Sequence, residues 1–179
     1  LFFEELGISP SERLMEQFDQ MSSQLKHVKP KEIQDIKQRL KEEKGQGGAY
    51  YCSLPSFRDS YRLVTRMLER SGQSAYLMLC SLTDGKGHPL EKPEKLELLS
   101  EELQNTIQHC LRKGDSFTKY SPSQYLVLLI GTNKENCGLI FDRIRKYFAR
   151  EHRSWNKYVE FYVSSVAEVD NLDTPIQFR

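Results

Sequence analysis

The alternation of apolar and polar residues along the chain divides it into recognisable elements. Ala75 to Leu82 is nearly all apolar and eight residues long, the pattern of a central strand buried on both faces. Tyr125 to Ile130 is a second apolar run, and Asp115 to Lys119 is a shorter, half-polar strand candidate. Between these two lies Ser121-Pro122-Ser123-Gln124, a turn in which Pro presets φ and the Ser residues can bond their own backbone. The two strands therefore form a β-hairpin, predicted to be central in a sheet. Helical spacing takes over elsewhere. Ser53 and Pro55 start a helix whose apolar positions Phe57, Tyr61, Val64 and Leu68 run on to a stop at Gly72. Glu94 to Leu111 turns Leu96, Leu99, Leu103, Ile107 and Cys110 inward, and Lys134 to Arg150 follows the turn Gly131-Thr132-Asn133. Tyr50 to Cys52 is a short strand candidate and Tyr158 to Val166 the last one. Setting aside the Phe57 helix, the order is β-α-β-β-α-β. The expected fold is α+β, a split βαβ arrangement with helices on one face of a mainly antiparallel sheet.

The first quarter of the chain has a different rhythm. Leu1 to Ile8 reads as a helix end closed by Gly7, and Ser9-Pro10-Ser11-Glu12 as a capping box. Leu14, Phe18, Met21 and Leu25 then recur on one stripe until Lys29-Pro30 breaks it. Lys31 to Lys44 is a charged helix with Ile33, Ile36 and Leu40 on a narrow face. Such helices need neighbours to bury their stripe, as in helical-hairpin arrays. The run Glu42 to Gly48 is the best linker, so the expected domains are 1–44, 45–170 and a patternless tail, 171–179. The chain starts in mid-element and reads as part of a longer protein.

Charge and composition narrow the function classes. Lys plus Arg number 26 and Asp plus Glu 25, so no global basic field invites nucleic acid. No apolar run reaches membrane-spanning length, and a cytoplasmic protein is expected. Cys52, Cys80, Cys110 and Cys137 lack a Cys-x-x-Cys pair and read as reduced core thiols. His88, in the Gly85–Pro89 loop, and His109, on a helix, show no partner spacing for catalysis or a metal. Arg143, Arg145, Lys146, Arg150, His152 and Arg153 gather where the last helix ends, a solvated face that suits the helix dipole.

Lys119-Tyr120-Ser121-Pro122-Ser123-Gln124-Tyr125, with the apolar strand behind it, resembles the Arg-Tyr-Gly-Gly-Asp-Glu-Phe hairpin of GGDEF domains, the diguanylate cyclase family. The element order matches from Gly48 to Val169. The resemblance implies a ferredoxin-like βαββαβ sheet of the nucleotide-cyclase kind. In that family two glycines let the backbone approach phosphates, and an acidic pair helps hold Mg²⁺. Here the matching positions are Ser121 and Pro122, then Ser123 and Gln124, with Tyr125 in place of Phe. Ser81 falls where a further metal-binding Asp is expected, and Pro89 or Leu90 where a guanine-contacting Asn is expected. Metal-assisted phosphoryl chemistry needs carboxylates, so the expectation is no catalytic residue, no metal, no cofactor and no cyclase activity.

One further family feature has its counterpart. Arg112-Lys113-Gly114-Asp115 has the spacing of the inhibitory Arg-x-x-Asp site that binds cyclic di-GMP in many GGDEF domains. Arg can fork onto a phosphate or guanine edge and Asp can accept from guanine. The same four residues also suit a helix end followed by a strand start, and both readings stay open.

Glu5-Leu6-Gly7-Ile8-Ser9-Pro10-Ser11 resembles the motif that ends the bacterial transcriptional activator domain, the tetratricopeptide-like part of SARP-type regulators. Together the two resemblances imply an inactive signal-sensing or dimerisation module of a transcriptional regulator. DNA would be met only through a domain before Leu1, and partners would be proteins or a second copy. The alternatives are a cyclic di-GMP receptor through Arg112 and Asp115, and a residual nucleotide-processing enzyme, against which the hairpin tip argues.

Overall fold

The computed structural model describes residues 29–41 and 47–167, the backbone of Ile176–Phe178, and Gln17, Gln20 and Met21. The chain divides into two compact units, Leu1–Gln46 and Gly47–Arg179. In the first, a 3-10 turn, Pro30–Glu32, leads into α1, Ile33–Leu40. Lys29 N–H donates to the Glu32 carboxylate at 2.8 Å and closes the start. Ile33, Ile36 and Leu40 are exposed. The Gly7 closure, the Ser9 cap and the stripe positions Leu14, Phe18 and Leu25 lie outside the described residues, as does the activator-domain motif.

The second unit is a sheet with helices on both faces. Its elements are β1 (Tyr50–Tyr51), α2 (Leu54–Ser71), β2 (Ala75–Leu82), α3 (Pro93–Cys110), β3 (Ser116–Ser121), β4 (Gln124–Ile130), α4 (Lys134–Phe148), a 3-10 stretch (Arg153–Tyr158), β5 (Val159–Ser165) and β6 (Ile176–Phe178). The six strands lie in the order β1-β3-β4-β2-β5-β6. All pairs are antiparallel except β1 with β3. The expected βαββαβ order, the central place of β2 and the hairpin are present, in a mixed α/β arrangement.

Local chemistry sets the element ends. Ser53 Oγ accepts from Ser56 N–H at the start of α2. Gly72 closes the helix in the left-handed region, φ 66°, donating to Leu68 C=O. Asn133 Oδ1 accepts from Asn136 N–H at 2.8 Å and starts α4. Gly48, at φ 77°, passes so close to α3 that a Cβ there would sit 1.8 Å from Gln108 C=O.

One face of the sheet is fully covered. Met78, Cys80, Leu82, Tyr125, Val127 and Phe161 meet Leu99, Leu103, Ile107, Phe141 and Ile144 from α3 and α4. Phe141 and Phe161 stack with ring centroids 4.9 Å apart. All four cysteines are free and buried.

One expectation, the patternless tail, is corrected. Helices α3 and α4 share one face, as expected for the βαββαβ order, and α2, set aside from that order, packs on the opposite side, where Phe57, Val64 and Leu68 meet Ala75, Leu128 and Val166. The residues of β2 and β4 that alternate away from α3 and α4 are themselves apolar, so they too need cover. The tail has structure, since β6 pairs with β5 through Phe161–Phe178, Tyr162–Gln177 and Val163–Ile176. Three residues are too short to carry a readable alternation. No helix among the described residues is long and apolar enough to cross a membrane.

Candidate functional site at the hairpin head

The register of β2 against β4 sets Ser81 opposite Gln124 and Cys80 opposite Tyr125. Successive side chains alternate across the sheet, so Ser81 and Gln124 share the face away from α3 and α4. There Gln124 Nε2 donates to Ser81 Oγ at 3.4 Å, and Ser121 Oγ donates to Gln124 Oε1 at 3.0 Å. The β3–β4 register shifts between Lys119 and Ser121, leaving Tyr120 exposed. Pro122 and Ser123 make the tight turn, and Ser123 C=O accepts from Leu82 N–H at 2.8 Å, tying the tip to the end of β2. Below the polar trio an open groove of about 460 Å³ runs over Leu77, Leu79, Leu126 and Tyr162.

Tyr125 points the other way. It is fully buried, its hydroxyl donates toward Ser100 C=O at 3.0 Å, and Ser100 Oγ lies 3.1 Å from it. Burial pushes that hydroxyl's pKa up. A phenol needs a partner inside a core, and α3 supplies it.

The residues at the head do not fit a divalent metal. Ser81, Ser121, Ser123 and Gln124 carry no charge, and a hard cation wants carboxylate oxygens to offset its own. The carboxylates nearest the head are Glu160, which stands opposite Ser81 on β5 and accepts from Tyr162 Oη at 3.1 Å, and, past the end of β2, Asp84. Its Oδ1 accepts from Lys86 N–H at 2.7 Å and His88 N–H at 3.1 Å, and its Oδ2 lies 3.2 Å from His88 Nδ1. The Lys86 N–H, with His88 behind it, holds the Asp84 carboxyl below its ordinary range. Asp84 is thus a loop brace. Among the described residues no group of three His, Cys, Asp or Glu side chains is placed to hold a metal.

His88 was expected to have no acid nearby, and this too is corrected: Asp84 is its partner, visible in the sequence as an i, i+4 pair within a loop. His109 stacks on Tyr147 at 4.3 Å. In the basic cluster, Arg150 pairs with Glu102 and lies 4.1 Å over the Tyr147 ring, so it is a packing residue as well as a surface charge.

Arg112 and Asp115 stand at the opposite end of the hairpin, not at the head. Asp115 is buried, with Oδ1 accepting from Ile130 N–H and Oδ2 from Arg112 N–H, both at 3.2 Å. Arg112 is exposed, with Nε 3.9 Å from Asp115 Oδ2. It lines a cleft of about 240 Å³ with Asn136 and Arg143. The carboxylate therefore serves the backbone, and the cleft offers two guanidinium groups.

Among solved structures, the chain is similar to the diguanylate cyclase SiaD from Pseudomonas aeruginosa, in complex with its activator SiaC, with TM-score 0.53 and 16% identity. That match covers 86% of this chain and 60% of SiaD. It is also similar to the GGDEF domain of DgcB from Caulobacter crescentus, in complex with c-di-GMP, with TM-score 0.52 and 11% identity. There it covers 70% of this chain and 80% of the other. The fold is GGDEF-like. No protein-family model and no curated protein matches the chain by sequence. At these identities the likeness speaks for the fold alone, and the chemistry must be argued from the residues at the head.

Proposed function

We propose that the Gly47–Arg179 unit is a catalytically inactive, cyclase-like regulatory module that acts through protein contacts, as part of a cytoplasmic bacterial transcriptional regulator. The observation that carries the loss of activity is the neutral trio Ser81, Ser121 and Gln124 at the head of the hairpin. Three uncharged side chains bonded to one another cannot fix two cations against a triphosphate. Pro122 removes an N–H from the tip and stiffens it, which works against close approach of a phosphate. The full chain incubated with GTP and Mg²⁺ or Mn²⁺ is expected to release no pyrophosphate and no cyclic dinucleotide. Turnover would overturn the reading. The regulator context rests on the Glu5–Ser11 motif, and a winged helix-turn-helix encoded upstream of Leu1 is the check on it.

A second reading is favoured by one observation, the exposed Arg112 beside Arg143 in the cleft at the far end of the hairpin. Two forked guanidinium groups suit a bis-phosphate such as cyclic di-GMP. In that case Arg112 would make the contact and Asp115 would hold the strand. Calorimetry with cyclic di-GMP on the wild type and on Arg112→Ala tests it, and no heat with the wild type ends it.

A further inference from the structure

Helix α2 carries Arg58, Arg62, Arg66 and Arg70, one every fourth residue, and all four are exposed. At ~1.5 Å rise per residue they are spaced about 6 Å apart along the helix. Leu63 and Met67 sit among them at 60% and 56% exposure. Among the described residues Arg62 is ion-paired within the helix, with Asp59 at 3.8 Å, and Glu69 is the other acid on α2. Helix α3 shows the inverse pattern. Glu94, Glu97 and Glu101 are exposed around Leu98, which is 55% exposed. Two cations near this face are engaged elsewhere: Lys95 Nζ donates to Tyr158 Oη at 2.9 Å, and Arg150 pairs with Glu102.

The two motifs match in spacing and oppose in sign. Arg62-Leu63-x-x-Arg66 on α2 has the frame of Glu97-Leu98-x-x-Glu101 on α3. Each sets two like charges one helical turn apart, with a leucine directly after the first. Laid against each other, two such helices pair both charges while the leucines meet. All the cations of α2 are arginine, the residue that desolvates best at interfaces, and its apolar partners are Leu and Met. The exposed arginines of α2 and the exposed glutamates of α3 are thus complementary surfaces carried by one nearly neutral molecule.

We infer that α2 of one copy docks on α3 of a second copy through Arg62, Leu63 and Arg66 against Glu97, Leu98 and Glu101. Because α2 and α3 lie on opposite faces of the sheet, the contact is head-to-tail and leaves a free face at each end. Such a heterologous contact extends to longer assemblies instead of stopping at a dimer.

Sedimentation velocity of the full chain over a concentration series in about 0.05 M salt is expected to show mass rising past twice 21.0 kDa. Raising the salt to about 0.5 M should weaken the association roughly tenfold or more. Two double variants decide the surface. Arg62→Glu with Arg66→Glu, and Glu97→Arg with Glu101→Arg, should each be monomeric alone. Mixed, they should associate again, since the swapped α2 of one fits the swapped α3 of the other, and this recovery also shows that both are folded. A wild type that stays monomeric at every concentration overturns the inference. So does association that survives either double swap, or a mixture that fails to recover. Retardation of duplex DNA by a monomeric wild type but not by the arginine swap would assign α2 to nucleic acid instead.

Discussion

The two faces of the sheet are built from the same strands and have different fates. On the α3–α4 face, Met78, Cys80, Phe117, Tyr125, Val127 and Phe161 are sealed completely. On the other, α2 covers Ala75 and Leu128, while Leu77, Leu79 and Leu126 stay half-buried toward the head. The covered face behaves as a core and tolerates no mismatch in volume. The open face keeps the polar trio and the groove, so it is where sequence can change without loss of fold. The charged anchors that the GGDEF resemblance implies belong to that second face. Ser and Gln occupy those positions over an intact core, so the GGDEF-like fold holds with an uncharged, mutually bonded trio at its head.

The sharpest way to break this contrast is a cavity on each side. Phe141→Ala removes a ring that is 1% exposed and stacked on Phe161, and should cost about 3–5 kcal/mol in urea unfolding. An equal loss from an open-face truncation would erase the distinction between the faces. Next in size is Asp115→Ala. It leaves the Ile130 and Arg112 N–H groups without their acceptor, at a cost of about 1–3 kcal/mol. Should cyclic di-GMP binding exist, this variant should keep it and Arg112→Ala should lose it. The reverse result would give Asp115 the ligand role.

The sequence made one face readable and left the other nearly silent. The eight-residue run of β2 and the inward positions Leu99, Leu103 and Ile107 follow from burial on both sides and from helical period, and both survive in the structure. What the pattern could not say is which face α2 would take, because an apolar stripe names no partner. Nor could it find β6, whose three residues join the sheet by backbone pairing with β5. At the head, the turn Ser121–Gln124 was legible from Pro122 and its Ser neighbours, but the bond from Gln124 to Ser81 depends on the β2–β4 register, which joins residues 43 apart in sequence. Asp115 shows the same limit. A four-residue motif reads alike whether its carboxylate faces a ligand or caps backbone N–H groups, and only burial separates the two.

Alkaline pH tests the sealed face with a smaller effect. Tyr125 is held protonated by burial, and burial with nearby Glu135 pushes the Cys137 thiol from 9.0 up to about 11. Each acid has a folded pKa above its unfolded one. The stabilisation is therefore complete below pH 9 and is lost as pH climbs through 9.0 and 10.0 toward the folded values. Urea midpoints should fall across that window. Tyr125→Phe should flatten the fall and cost about 1 kcal/mol at neutral pH through its lost Ser100 partner. A midpoint unchanged up to pH 11 would mean that these groups titrate freely in the folded chain.

The smallest expected effect lies on the open face. Leu79 pairs across the sheet with Leu126 on β4 and Tyr162 on β5, in the floor of the groove below Gln124. Leu79→Thr places a β-branched side chain, which suits a strand, and removes those cross-strand apolar contacts, worth about 1 kcal/mol or less. The measurement is the urea midpoint at two protein concentrations well apart. A small loss, equal at both, is the outcome for a face open to water. A loss approaching that of Phe141→Ala, growing with concentration, would mean that a second copy seals this groove and that the interface belongs on the sheet instead of on α2 and α3.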